Sequence, residues 1–203
     1  MNVNDKVKQK LHIFDFDGTL VHNYDHPWVG EGFNWDTFIS TMSKQPAVET
    51  VVERMKEAIA DPNSTVVLCS ARPDDSIYQM MTMKQLVEFG VDVHRIDHFC
   101  FRNKAYIRAE QSLTANIDNP DDVKRIIHEC HKQWRLSKVD YMRHEFKPEE
   151  VICYDDQQKN LDAWVEAFAT SPYTTSLTNY LVEEDGTISG TVHHANNSSE
   201  SQD

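Results

Sequence analysis

Asp15 and Asp17 stand two residues apart where the apolar run Leu11–Phe14 gives way to Gly18 and Thr19, in the stretch LHIFDFDGTL. Two carboxylates at the end of a buried strand repel each other unless a cation, a proton or solvent intervenes. Phosphoryl transfer is the chemistry such a pair can perform. One carboxylate attacks phosphorus to give an aspartyl-phosphate, and the second protonates the leaving oxygen and then takes a proton from water. A divalent ion held by oxygen donors would offset the charge, and magnesium suits an all-oxygen site. The plainer alternative is a strand followed by an Asp-Gly turn with solvated aspartates. Two other segments bear on the choice. Thr65–Ser70 is an apolar run that ends in Ser70, Ala71 and Arg72, and Val151–Tyr154 runs into Asp155 and Asp156.

Strands and helices alternate along the chain, and this is what positions those groups. After the first strand, residues 21–45 read as a flap or minimal cap without periodicity. Val48, Val51, Val52, Met55 and Ile59 then mark one face of a helix from Pro46 to Ala60. A second helix is predicted from Pro73 to Phe89 with Gly90 as its stop, and His98–Phe101 fits a third strand. Residues 102–118 read as a short polar insertion. Asn119 and Pro120 start a helix whose apolar stripe is Val123, Ile126, Ile127, Cys130 and Trp134, followed by a charged connection over 135–149. A helix over Gln158–Ala169 and a hairpin around Asp185-Gly186 complete the pattern, with a disordered tail over 194–203. Such alternation predicts an α/β fold with a Rossmann-like parallel sheet and helices on both faces. In these sheets ligands bind beyond the carboxyl ends of the strands. Asp15, Asp17, Ser70, Arg72, Asp155 and Asp156 all fall at such ends.

The chain has 203 residues and a formal net charge of -13, a length that suits one main domain. That acidity argues against broad charge-driven binding to nucleic acid, although not against a nucleotide or a strand end as substrate. Cys69, Cys100, Cys130 and Cys153 are dispersed and read as reduced, mostly buried thiols. The histidines show no zinc spacing; His128 and His131 share a helix with the apolar stripe. No apolar run long enough for a signal peptide or a membrane span is present, so a soluble, cytoplasmic protein with no membrane partner is expected. Nor is there a GxxxxGK[ST] loop.

DFDGTL resembles the opening motif of the haloacid dehalogenase superfamily of phosphohydrolases, an apolar strand ending DxDGT. The resemblance implies that Asp15 is the nucleophile, that Asp17 is the general acid and base, and that the Asp17 carbonyl is a magnesium ligand. VLCSAR is similar to the family's second motif, which makes Ser70 the phosphate-binding hydroxyl with Ala71 and Arg72 beside the substrate. VICYDDQQKN is similar to the fourth, with Asp156 as the principal metal ligand and Asp155 as a secondary one. Asn160 departs from the later acid of that motif. The third motif is a lysine that pairs with nucleophile and phosphate. Lys124, in the first turn of the helix opened by Pro120, should face the strand ends; Lys104, just after the third strand, is the alternative, and Lys138 should lie at the opposite edge.

Domain limits follow: a phosphatase domain over 1–170 with a small cap or none, then a C-terminal extension over 171–193. The flap and the helix after it loosely resemble the phosphatase halves of polynucleotide kinase-phosphatases, which implies a nucleotide or a nucleic-acid 3′-phosphate as substrate. Trp28, Phe33 and Trp35 could stack on a base or simply pack the flap, and Thr19 is a further candidate contact. Two other readings stand beside this one. The first is a small-metabolite phosphatase whose lid comes from a partner subunit, and the second is a non-catalytic phosphate- or metal-binding module. Retention of both Asp15 and Asp17 counts against the last.

Overall fold

In the computed structural model, residues 9–22, 41 and 44–194 are described. Six strands form one sheet: β1 (Lys10–Phe14), β2 (Ser64–Pro73), β3 (His98–Arg102), β4 (Glu150–Asp155), β5 (Ser176–Val182) and β6 (Ile188–His194). Their order is β3-β2-β1-β4-β5-β6, parallel except for the antiparallel β5–β6 pair. This is the strand order of a doubly wound, Rossmann-like sheet. The named α-helices among the described residues are α1 (Glu49–Ala60), α2 (Ser76–Glu88), α3 (Lys104–Thr114), α4 (Pro120–Phe146) and α5 (Gln158–Phe168).

Alternation of side chains along the central strands creates two cores. Phe14, Val66, Leu68 and Tyr154 face α1 and α2, with Val51, Val52, Met55 and Leu86 packed on them. Leu11, Ile13, Val67, Cys69, Val151 and Cys153 face α4 and α5, where Trp134, Val139, Met142, Leu161, Trp164 and Phe168 cover them. Cys69, Cys100 and Cys153 are buried free thiols, and Cys130 is half-buried. The hairpin turns at Gly186, whose φ of 80° is left-handed. It belongs to the main sheet through the β4–β5 pairing, and Thr50 Oγ1 donates to the Gly186 carbonyl over 2.6 Å.

Several elements differ from their sequence reading. α1 starts at Glu49 and not at Pro46. Pro73 ends β2 and does not open α2, whose N-cap is Asp75, with Oδ1 accepting from Ile77 N–H at 3.3 Å. The stretch 102–118 contains α3, capped by Asn103. The supposed connection over 135–149 is the second half of α4, a helix of 27 residues that buries Trp134, Arg135, Val139 and Met142 and ends at Lys147, with φ 45°. Charged residues outnumber apolar ones there, so its narrow buried stripe was hidden. At 1.5 Å per residue α4 is about 40 Å long, more than twice the length of a five-residue strand. Its N-terminal half therefore extends past the carboxyl edge of the sheet and packs against α3. A buried cluster joins the two: Arg102 at the end of β3 bonds Glu110 of α3 at 2.5 Å and also meets His131 of α4. Burial holds the His131 pKa down at about 4.

No helix among the described residues is long and apolar enough to cross a membrane. Most of the 21–45 flap, including Trp28, Phe33 and Trp35, and the tail from 195 lie outside the described residues.

Candidate active site

Register brings the carboxylates together. Phe14 is level with Tyr154, so the next residue on each strand, Asp15 and Asp155, emerges side by side, and Asp15 N–H donates to the Tyr154 carbonyl at 3.0 Å. This is the crevice where the strand order reverses, between β1 and β4. Carboxylate oxygens of Asp15, Asp155 and Asp156 all lie within 4.8 Å of one another. Burial, and then the neighbouring Asp155 and Asp156, push the Asp15 carboxyl well above the usual range. Burial and Asp155 raise Asp156 to about 8. Asp155 is raised too, mainly by burial, against the pull of Arg135.

Among the described residues, one arginine pairs with this trio, and Lys159 lies near enough to feel the charge of Asp155 and Asp156. Arg135 Nη2 lies 4.0 Å from Asp15 Oδ1 and 3.9 Å from Asp155 Oδ2, and the residue is only 3 % exposed. Its Nη1 is buried without a hydrogen-bond partner among the described residues, as is Asp156 Oδ1. The group is thus over-supplied with negative charge and incompletely bonded. All its donors are hard oxygens, which fits magnesium or calcium chemistry and not zinc–thiolate chemistry. Asn160, the departure from the fourth motif, donates Nδ2 to Asp155 Oδ1 at 2.9 Å, and Gln157 N–H reaches the same oxygen at 2.9 Å. It therefore orients an acid in place of being one.

Asp17 is close enough for its charge to raise Asp15 and Asp156, but its oxygens are bound by another partner. It lies just before the left-handed turn at Gly18, with φ 90°, on the side of the sheet that carries α2. There Arg72 grips both its oxygens, Nε to Oδ2 at 2.9 Å and Nη2 to Oδ1 at 2.7 Å. Arg72 also lies over the Phe16 ring, 4.3 Å from its centroid. Ser70 is buried next to Arg72, its Oγ accepting the Arg72 backbone N–H at 3.2 Å, and Ala71 between them is half-buried. Thr19 Oγ1 is 3.5 Å from Asp15 Oδ2.

The structure does not bring Lys124 to the carboxylates. It stands eleven positions before Arg135 on the overhanging half of α4, about 16 Å away along the axis. Its side chain is 58 % exposed and pairs with Asp121 at 3.9 Å. The strand-end argument failed here because α3, and not α4, follows β3. Lys104 does stand at that strand end, 65 % exposed and 3.3 Å from Asp75. Sequence reasoning missed Arg135. Its signal was an arginine in line with the apolar positions Val139 and Met142, where a solvated charge has no place. Thr82 and Gln85, which contact Arg72, were missed as well.

No family model matches the chain, and no curated protein matches it. Among solved structures, the chain is similar to one in the structure of the Pnkp1/Rnl/Hen1 RNA repair complex, at 20% sequence identity and a TM-score of 0.49. The similarity covers 81% of this chain and 41% of that one, so the chain spans less than half the length of the protein it matches.

Proposed function

We propose that this protein is a magnesium-dependent phosphomonoester hydrolase that works through an aspartyl-phosphate on Asp15. The observation that carries the reading is the trio of buried Asp15 and Asp155 and half-buried Asp156, with oxygens within 4.8 Å of one another beside Arg135. A fold has no structural use for three such acids in one crevice, because each raises the cost of ionising the others. A bound divalent ion, held by these three and by the Asp17 carbonyl that the motif implies, would supply charge neutralisation of nucleophile and phosphate.

The chain's own groups divide the rest of the work. An Asp15 oxygen attacks phosphorus, the bond from phosphorus to the leaving oxygen breaks with its electron pair, and that oxygen takes the proton of the Asp17 carboxyl. Water then adds to the phosphoryl group and gives a proton back to Asp17, while the Asp15–phosphorus bond breaks and releases phosphate. Arg135 Nη1, buried and without a hydrogen-bond partner among the described residues, supplies the cation that the resemblance gave to a lysine. Ser70 Oγ accepts from Arg72 N–H and can donate its own proton to a phosphate oxygen. The resemblance of the flap sequence, the helix after it and the SAR and YDD endings to the phosphatase halves of polynucleotide kinase-phosphatases favours a nucleotide or a nucleic-acid 3′-phosphate as the ester.

The test is hydrolysis of an aryl phosphate, a panel of nucleotides and 3′-phosphorylated oligonucleotides, with magnesium and with chelator. Turnover that chelator abolishes and that includes a nucleotide or a 3′-end supports the reading. Turnover of small metabolites alone rejects the substrate class. No turnover of any ester rejects the enzyme and leaves a phosphate- or metal-binding module.

A further inference from the structure

We propose that Thr82 and Gln85 of α2 are positioning residues for the proton transfer at Asp17, acting through Arg72. The guanidinium is 3 % exposed and almost fully committed to protein partners. Its Nη1 donates to Thr82 Oγ1 at 2.8 Å and to Gln85 Oε1 at 3.3 Å. Those two bonds use the outer edge and leave Nε and Nη2 as a fixed fork on the two Asp17 oxygens. Thr82 cannot serve the arginine in any other sense. Its hydroxyl proton is already donated to the Tyr78 carbonyl at 2.8 Å, so only its lone pair is left for Nη1.

Thr82 and Gln85 are themselves buried, at 0 % and 2 % exposure, on the face of α2 that also carries Leu86. Apolar side chains there would take both acceptors from the buried Arg72 Nη1, a loss of stability that any two esters share. What polar ones add is a guanidinium that cannot swing. When Asp17 gives its proton to the leaving oxygen it becomes a carboxylate, and a donor pair already aimed at both oxygens stabilises that charge as it forms without reorganising. The clamp would thus act on the step in which the bond from phosphorus to the leaving oxygen breaks and its electron pair takes the Asp17 proton. Arg72 becomes an organiser of the acid and not a phosphate ligand.

This inference rests on the hydrolase reading, and the leaving group separates the two. A 4-nitrophenolate leaves with little help, whereas the alkoxide of a nucleoside 3′-phosphate must be protonated as it departs. With the full chain and magnesium, Thr82→Val is expected to lower kcat on the nucleoside 3′-phosphate about tenfold and on 4-nitrophenyl phosphate less than about threefold, with KM little changed. Thr82→Ser, which keeps the hydroxyl, should return the ratio of the two rates to the wild-type value. Gln85→Leu should shift that ratio in the same direction as Thr82→Val. Because both esters are measured on one preparation, the ratio does not depend on the folded fraction. Equal losses on the two esters, or no rescue by Thr82→Ser, would overturn the clamp while leaving the hydrolase intact. A wild-type chain that turns over the aryl ester alone would overturn the clamp, and one that turns over neither ester would overturn both.

Discussion

Asp15 and Asp17 leave the same strand two residues apart, yet their surroundings differ in kind. Asp17 has a finished environment, with both oxygens bonded to Arg72 and Arg72 in turn bonded to Thr82 and Gln85. Asp15 shares an unfinished one. Three carboxylates gather where Arg135 reaches Asp15 and Asp155 at about the limit of an ion pair, and among the described residues Asp156 Oδ1 and Arg135 Nη1 have no hydrogen-bond partner. A cluster satisfied by the protein serves geometry. A cluster left open at comparable burial is one that a ligand completes, since buried charge without a partner is costly.

The contrast can be broken most severely at its centre. Asp15→Asn should lower turnover by about 10⁴-fold or more, because an amide oxygen is no nucleophile toward phosphorus; measurable single-turnover hydrolysis near the wild-type rate would remove Asp15 from that role.

The two arginines should then fail differently. Arg135→Met is expected to reduce kcat about 10²–10³-fold, through lost charge stabilisation of the transferring phosphoryl group. Arg72→Met should instead destabilise the fold by about 3–5 kcal/mol, because it leaves Asp17, Thr82 and Gln85 buried without their partner. Urea titration of both variants is the check. Equal loss of stability would mean that the Asp15 cluster is as structural as the Asp17 one.

Magnesium sharpens the comparison further. The raised carboxyls hold protons in the folded protein that the unfolded chain releases at about pH 4, so metal-free protein loses stability as pH rises from there through about 8, the Asp156 value. A metal must displace those protons. Its apparent affinity, read by titration calorimetry, should therefore tighten with pH up to about 8, by about tenfold per pH unit for each proton displaced. Asn160→Leu, which takes a hydrogen bond from Asp155, should weaken magnesium about 10–100-fold at fixed pH. A pH-independent affinity would detach the metal from this trio.

Lys124→Ala is the smallest change. An exposed lysine on the overhang of α4 should matter to stability by less than about 0.5 kcal/mol and to turnover by less than about twofold. A large loss of kcat would return the third-motif role to Lys124 and take it from Arg135.

How much of the site was legible depended on whether a residue's position is local to a strand end. Asp15, Asp17, Ser70, Arg72, Asp155 and Asp156 each follow an apolar run, and a parallel sheet delivers such residues to one edge. α4 defeated the same logic. Its start was visible in Asn119 and Pro120, but where a 27-residue helix crosses the edge depends on how its few buried residues dock, and Trp134, Val139 and Met142 set that depth. Arg135 consequently reaches the carboxylates and Lys124 does not.

By itself, the sequence determined the alternating α/β pattern, the hairpin at Asp185-Gly186 and the strand-end polar groups, because hydrophobic period and turn chemistry act within a few residues. Only the tertiary structure decided which strands are neighbours, that Asp15 lies against Asp155 while Asp17 turns to Arg72, and which cation attends each. Those outcomes depend on register and on packing between segments far apart in the chain, and no local pattern encodes them.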